Sequence, residues 1–100
     1  MNTREEVLDF LKANQSYIKK HYSLTKIGLF GSFARNEQTR DSDIDLLIEI
    51  ENNTPNISDL KESLTKYFTK AFNRNVDIAR EKYLKPYAKK EILKDTIYVS

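Results

Sequence analysis

The stretch Asp43-Ile44-Asp45-Leu46-Leu47-Ile48-Glu49-Ile50-Glu51 decides the fold. Ile44, Leu46, Ile48 and Ile50 fall on one side of an extended chain, while Asp43, Asp45, Leu47 and Glu49 fall on the other, the period of a half-buried strand. Upstream, the apolar run Lys26-Ile27-Gly28-Leu29-Phe30 stops at Gly31-Ser32, which predicts a buried strand entering a tight turn. Before it, Val7, Leu8, Leu11, Ile18 and Tyr22 recur at helical spacing behind a Thr3/Glu6 capping box, so a first helix is expected from about Arg4 to Tyr22.

Downstream, Asn52-Asn53-Thr54-Pro55-Asn56 reads as a turn. Leu60, Leu64, Tyr67, Phe68, Ala71 and Phe72 then form one stripe of a helix from about Ile57 to Phe72, capped by Asn56 or Ser58. Asn73-Arg74-Asn75 turns the chain into a third strand, Val76-Asp77-Ile78-Ala79, whose apolar neighbours leave Asp77 on the opposite face. Pro86 suits the first turn of a last helix that carries Ala88, Ile92 and Leu93 inward. The order αββαβα, without internal repeats, describes an α/β (α+β) domain in which a small mixed sheet packs against helices.

At 100 residues and 11.8 kDa the chain has apolar surface for one core, so a single domain over residues 1–100 is expected. With 39% hydrophobic residues it is too apolar to remain disordered. The lack of cysteine excludes disulfides and thiolate metal sites, leaving oxygen or imidazole ligands for any metal. No window approaches the roughly 20 apolar residues of a membrane span, and Met1 to Glu6 lack an apolar signal region, so no membrane partner and a cytoplasmic location are expected.

A net charge of +2 is too slight to argue for nucleic acid, which is not expected as a direct partner. Lys82, Lys85, Lys89, Lys90 and Lys94 read as a solvated helix face, Tyr67, Phe68 and Phe72 as core rather than a base-stacking platform, and His21 as a surface residue at a helix end.

The chemistry lies in the acidic strand. Asp43 and Asp45 leave the same face with backbones roughly 6.5 to 7 Å apart and can share a divalent cation, since hard cations take one or two carboxylates together with substrate phosphates. Asp77 reaches the same face if its strand neighbours this one. A lone Asp-x-Asp is more often simply the solvated side of an edge strand, but here Gly31-Ser32 precedes it by ten residues. A glycine lets backbone approach a ligand, and amides at such a turn can cradle phosphate. By average usage this pairing at fixed spacing arises by chance in on the order of one in a thousand chains of this length.

Gly31-Ser32, ten residues, then Asp43-Ile44-Asp45 resembles the signature of the polymerase-β-like nucleotidyltransferase superfamily. The fuller stretch Phe30-Gly31-Ser32-Phe33-Ala34-Arg35 … Asp41-Ser42-Asp43-Ile44-Asp45-Leu46-Leu47 resembles its minimal (MNT) branch. Val76-Asp77-Ile78 and Leu84-Lys85-Pro86-Tyr87 … Glu91-Ile92-Leu93 extend the likeness over nearly the whole chain. The resemblance implies a palm-like nucleotidyltransferase fold and a transferase that moves AMP from ATP to a hydroxyl. It also implies an antitoxin role, with a HEPN-domain ribonuclease toxin as partner and a tyrosine of that toxin as acceptor.

Carried over by residue, Asp43, Asp45 and Asp77 would be the catalytic carboxylates and the ligands of two Mg²⁺ ions, for which Mn²⁺ can substitute. Asp77 would also help deprotonate the acceptor. Gly31 and Ser32 would bind the β and γ phosphates of the NTP, and Arg35 and Arg40 are the nearest cations to steady that charge. Two rival readings remain: a non-catalytic inhibitor or subunit, and a transferase acting on a small molecule or an RNA end. On the transferase-antitoxin reading, a docked partner completes the site, and the Phe33 to Ser42 loop and the lysine-bearing last helix are the expected docking surface.

Overall fold

The first helix starts where the capping box predicts. The Thr3 hydroxyl accepts from the Glu6 amide at 3.1 Å, and the Glu6 carboxylate accepts from the Thr3 amide at 2.8 Å. A computed structural model describes residues 2–99; Met1 and Ser100, the two ends of the expected domain, lie outside the described residues. Helix α1 (Arg4–Tyr22) leads into strand β1 (Leu24–Phe30), a single helical turn α2 (Gly31–Ala34) and strand β2 (Ile44–Ile50). Helix α3 (Ile57–Phe72), strand β3 (Val76–Arg80), a 3₁₀ turn (Glu81–Tyr83), helix α4 (Pro86–Asp95) and strand β4 (Ile97–Tyr98) follow.

The sheet is mixed, as expected, in the order β3-β2-β1-β4. Strand β1 is antiparallel to both β2 and β4, and β2 is parallel to β3. The parallel pair is allowed because α3 provides the long crossover between its strands. Ile27 and Leu29 of β1 and Ile44, Leu46 and Ile48 of β2 are fully buried against Val7, Leu11 and Ile18 of α1 and Leu64 and Phe68 of α3. This core occupies one face of the sheet and leaves the face bearing the odd-numbered residues of β2 for other work.

Four expectations need correction. Leu47, assigned by alternation to the polar face, is fully buried. Its sheet partners are Gly28 and Ala79, and a side chain at Gly28 would press on Thr96 and Tyr98, so the end of the chain lies over that face. Strand β4, which does this, was not foreseen, because two residues carry no periodicity. Ala71, placed on the buried stripe, is exposed, the stripe passing through Leu64, Phe68 and Phe72 instead. In α4, Pro86 does stand in the first turn, but Ala88, Ile92 and Leu93 are only half-buried, since this short helix packs beside α2 and β1 and outside the main core.

With only two glycines in the chain, asparagine takes most of the left-handed turns. Asn36, Asn53, Asn56 and Asn73 all have positive φ, as does Ser23 at the end of α1. Short polar side chains tolerate this region better than branched ones. Asn56 is indeed the residue before α3, but its left-handed backbone makes the boundary, and its side chain forms no capping bond.

The packing generates a paired stability prediction. Phe68 is fully buried and stacks on Phe72 with centroids 5.8 Å apart, so Phe68→Ala should cost about 3–5 kcal/mol in urea unfolding. Ala71→Lys, on the exposed side of the same helix, should change stability by less than about 0.5 kcal/mol.

Candidate active site

The site is built at the ends of β1, β2 and β3, on the face away from the core. Asp45 occupies the middle of this row, paired with Phe30 of β1 on one side and in register with Asp77 of β3 on the other. Residues in register on neighbouring strands share a face, so two carboxylates stand side by side. Asp43 precedes β2 by one residue and is exposed, as is Asp77. The Ile44 amide donates to the Asn75 carbonyl at 3.0 Å, which ties the entry of β2 to the entry of β3 and fixes Asp43 near Asp77.

The electrostatics record this crowding. The Asp45 carboxyl is pushed up to about 6, first by burial, then by repulsion from Asp77 and from Asp43, with Arg35 opposing. Gly31 explains part of the burial. Its φ is +74°, a region that L side chains rarely adopt, and a Cβ there would collide with the Asp45 carboxylate. Backbone therefore passes directly against Asp45 where β1 turns into α2, and Ser32, half-buried, follows at once.

Arg35 ends α2. Its Nε donates to Glu37 at 2.9 Å and its Nη1 approaches Asp95 at 3.4 Å, so the guanidinium is already partnered at the rim of the site. It lines a cleft of about 420 Å³ with Phe30, Gly31 and Ile92. Arg40 is exposed and stands apart from that cleft. It borders a separate, polar one of about 390 Å³ with Ser42, Asp43, Asn73 and Asn75. The fold thus gathers Gly31, Asp43, Asp45 and Asp77, sets Arg35 beside them and leaves Arg40 on the outer side of Asp43.

Among the described residues no three His, Cys, Asp or Glu side chains form a ready-made metal cage. The donor set nonetheless suits a hard cation that keeps water and phosphate ligands: carboxylate oxygens only, one of them half-buried beside like charges. Arg74, part of the Asn73-Arg74-Asn75 turn by sequence, contacts the acidic loop. Its Nη1 donates to the carbonyls of Arg40 at 2.9 Å and Ser42 at 2.7 Å, in the loop that delivers Asp43. No local pattern signals this, because the acceptors are more than 30 residues away in sequence.

Comparison with known proteins bears on the family and the fold. The model of the nucleotidyltransferase domain family matches residues 5–99. A Methanocaldococcus jannaschii protein provisionally named protein adenylyltransferase MJ1379 is 42% identical over 99% of this chain and 100% of its own length. The protein adenylyltransferase MntA of Thermococcus cleftensis is 31% identical over 99% of this chain and 98% of its own. Among solved structures, one described provisionally as a minimal nucleotidyltransferase superposes with a TM-score of 0.72 at 27% identity, covering 90% of this chain and 93% of that one. The fold also matches a tri-AMPylated Shewanella oneidensis HEPN toxin in complex with MNT antitoxin, at a TM-score of 0.62 and 16% identity over 91% of this chain and 70% of that one. The chain belongs to the nucleotidyltransferase domain family, within the minimal branch that includes the protein adenylyltransferase MntA.

Proposed function

We propose that this nucleotidyltransferase moves AMP from ATP to a tyrosine hydroxyl of a HEPN-domain toxin in the cytoplasm, and so acts as its antitoxin. The observation that carries the reading is the in-register pairing of Asp45 with Asp77 against the Gly31 turn. Carboxylates forced together at the cost of repulsion are characteristic of sites kept for binding cations, and a purely inhibitory surface has no physical need of them.

Asp43, Asp45 and Asp77 would hold the two Mg²⁺ ions. Bound there with ATP, Mg²⁺ draws charge from the phosphate oxygens and orders the attacking and leaving groups. Gly31 allows the β and γ phosphates to approach the chain, and the Ser32 hydroxyl donates to them. The acceptor oxygen attacks the α-phosphorus, and the bond from that phosphorus to the α,β-bridging oxygen breaks. Pyrophosphate leaves, and the acceptor proton passes to Asp77. Arg35, at the rim, faces the departing charge, with Arg40 further out beyond Asp43.

The clefts on either side of the site are open, so a docked partner supplies the remaining enclosure and brings the hydroxyl into line. Of the Phe33 to Ser42 segment, Phe33 and Ala34 are buried in α2, so the part from Arg35 onward, together with α4, borders the site and forms the docking surface. The relatives' names and the HEPN-bound neighbour support this choice of acceptor and partner.

Incubation with α-³²P-ATP tests the reading. Label should move to a HEPN-domain toxin added as acceptor, need Mg²⁺ or Mn²⁺, vanish with EDTA, and fall at least about a hundredfold in the folded Asp43→Asn/Asp45→Asn variant. Efficient transfer to a small molecule with no protein acceptor present would overturn it.

A second prediction follows from Asp45. Its carboxyl rises from an ordinary 3.8 to about 6 in the folded protein, so the folded state binds the proton more tightly than the unfolded one. The associated stability is complete below about pH 4 and is lost as pH rises through about 6. After allowance for solvent screening of a half-exposed group, the metal-free parent should lose roughly 1 kcal/mol relative to Asp45→Asn between pH 4.5 and 7.5. Thermal unfolding of both proteins across that range, with EDTA present, checks the divergence.

A further inference from the structure

We propose that Arg74 is a positioning residue for the carboxylate site, holding in one place the three segments that supply its parts. The inference rests on the transferase reading above but is drawn from different contacts. Arg74 lies in the turn between α3 and β3, two residues before Val76. Its Nη1 donates to the carbonyls of Arg40 at 2.9 Å and Ser42 at 2.7 Å and approaches that of Thr39 at 3.5 Å. These carbonyls belong to the segment that ends at Asp43. The guanidinium carbon Cζ lies over the fully buried Phe33 ring, 5.2 Å from its centroid, and Phe33 follows Ser32 directly. The next residue, Asn75, accepts the Ile44 amide, and Asp77 stands two residues beyond that.

One side chain therefore joins the Gly31–Ser32 turn, the Asp43 loop and the start of the Asp77 strand. The loop has little else to hold it: Thr39 and Ser42 bond to one another, and Arg40 and Asp41 are exposed. A guanidinium suits the task because a planar, permanently charged group can stack on a ring while its edge donates to several carbonyls. A charge with carbonyl partners also explains why so polar a residue stands at the edge of the core. Among the described residues its Nε is buried without a hydrogen-bond partner, so the carbonyl contacts of Nη1 are what hold the group in place. Groups that orient metal-binding carboxylates typically change metal affinity or activity by roughly 10- to 100-fold when lost.

The experiment compares the parent, Arg74→Lys and Arg74→Met by three readouts. Amide hydrogen exchange of residues 39–44 should quicken in Arg74→Met while the amides of α1 keep their protection. Mn²⁺ affinity, measured by electron paramagnetic resonance without any turnover, should weaken by about tenfold. The kcat for adenylyl transfer should fall by a similar factor while KM for ATP changes little. Arg74→Lys, which keeps one donor and the charge, should recover part of each. If Arg74→Met binds Mn²⁺ as the parent does, or if its loop exchanges no faster, the proposal fails. If Arg74→Met instead unfolds, Arg74→Lys with unchanged exchange and Mn²⁺ affinity has the same force. Absence of transfer in the parent would remove the adenylyl-transfer reading alone, with exchange and Mn²⁺ affinity still deciding the role of Arg74.

Discussion

The in-register pairing of Asp45 with Asp77 is the constraint on which the rest of this molecule turns. Two like charges on adjacent strands are unfavourable, and Asp43 beside them makes the position worse. The domain tolerates the repulsion because most of the apolar core lies on the other face of the sheet, where α1 and α3 close over β1 and β2. Fold stability and site chemistry are thus divided between the two faces of one four-stranded sheet. The central strand β2 serves both, with Ile44, Leu46 and Ile48 in the core and Asp45 in the site.

Close approach of backbone to Asp45 completes the arrangement. Gly31 has both a left-handed φ and no room for a Cβ, so the turn that carries Ser32 can lie directly against the carboxylate. Asparagines take most of the other left-handed positions, where nothing needs to come so near. At the far end of the sheet a different network joins the two edges. The Tyr98 hydroxyl donates to Glu81 at 2.6 Å, and Lys26 approaches the same carboxylate at 3.5 Å. Burial and the neighbouring Glu81 push the Tyr98 phenol up to about 12, so it remains an O–H donor under all ordinary conditions.

Much of this was legible in the sequence because it is local. The alternation from Asp43 to Glu51 contains both the strand and the direction of its carboxylates, and the Thr3/Glu6 pair marks a helix start by chemistry within three residues. The spacing of Gly31-Ser32 to Asp43-Ile44-Asp45 carries the family. What the sequence could not show depends on contacts between distant segments. Leu47 is buried only because the chain end returns over Gly28, and β4 exists only as a partner to β1. Arg74 sits between two asparagines in a turn, where an arginine ordinarily reads as solvated, and its acceptors become visible only in three dimensions. Arg35 and Arg40, both candidates from the sequence, are separated by the fold: the first is close enough to influence Asp45, and the second lines another cleft.

Asp43 and Asp77 both act on the Asp45 carboxyl, and on the proposed function a metal–nucleotide complex would relieve that repulsion. The most direct measurement is the titration of the Asp45 side-chain carboxyl by ¹³C NMR, first in the metal-free protein and then with Mg²⁺ and a non-hydrolysable ATP analogue. The account predicts a midpoint of about 6 without metal, moving below the ordinary carboxylate range when Mg²⁺ and nucleotide are added. An ordinary midpoint that Mg²⁺ and nucleotide leave in place would contradict it.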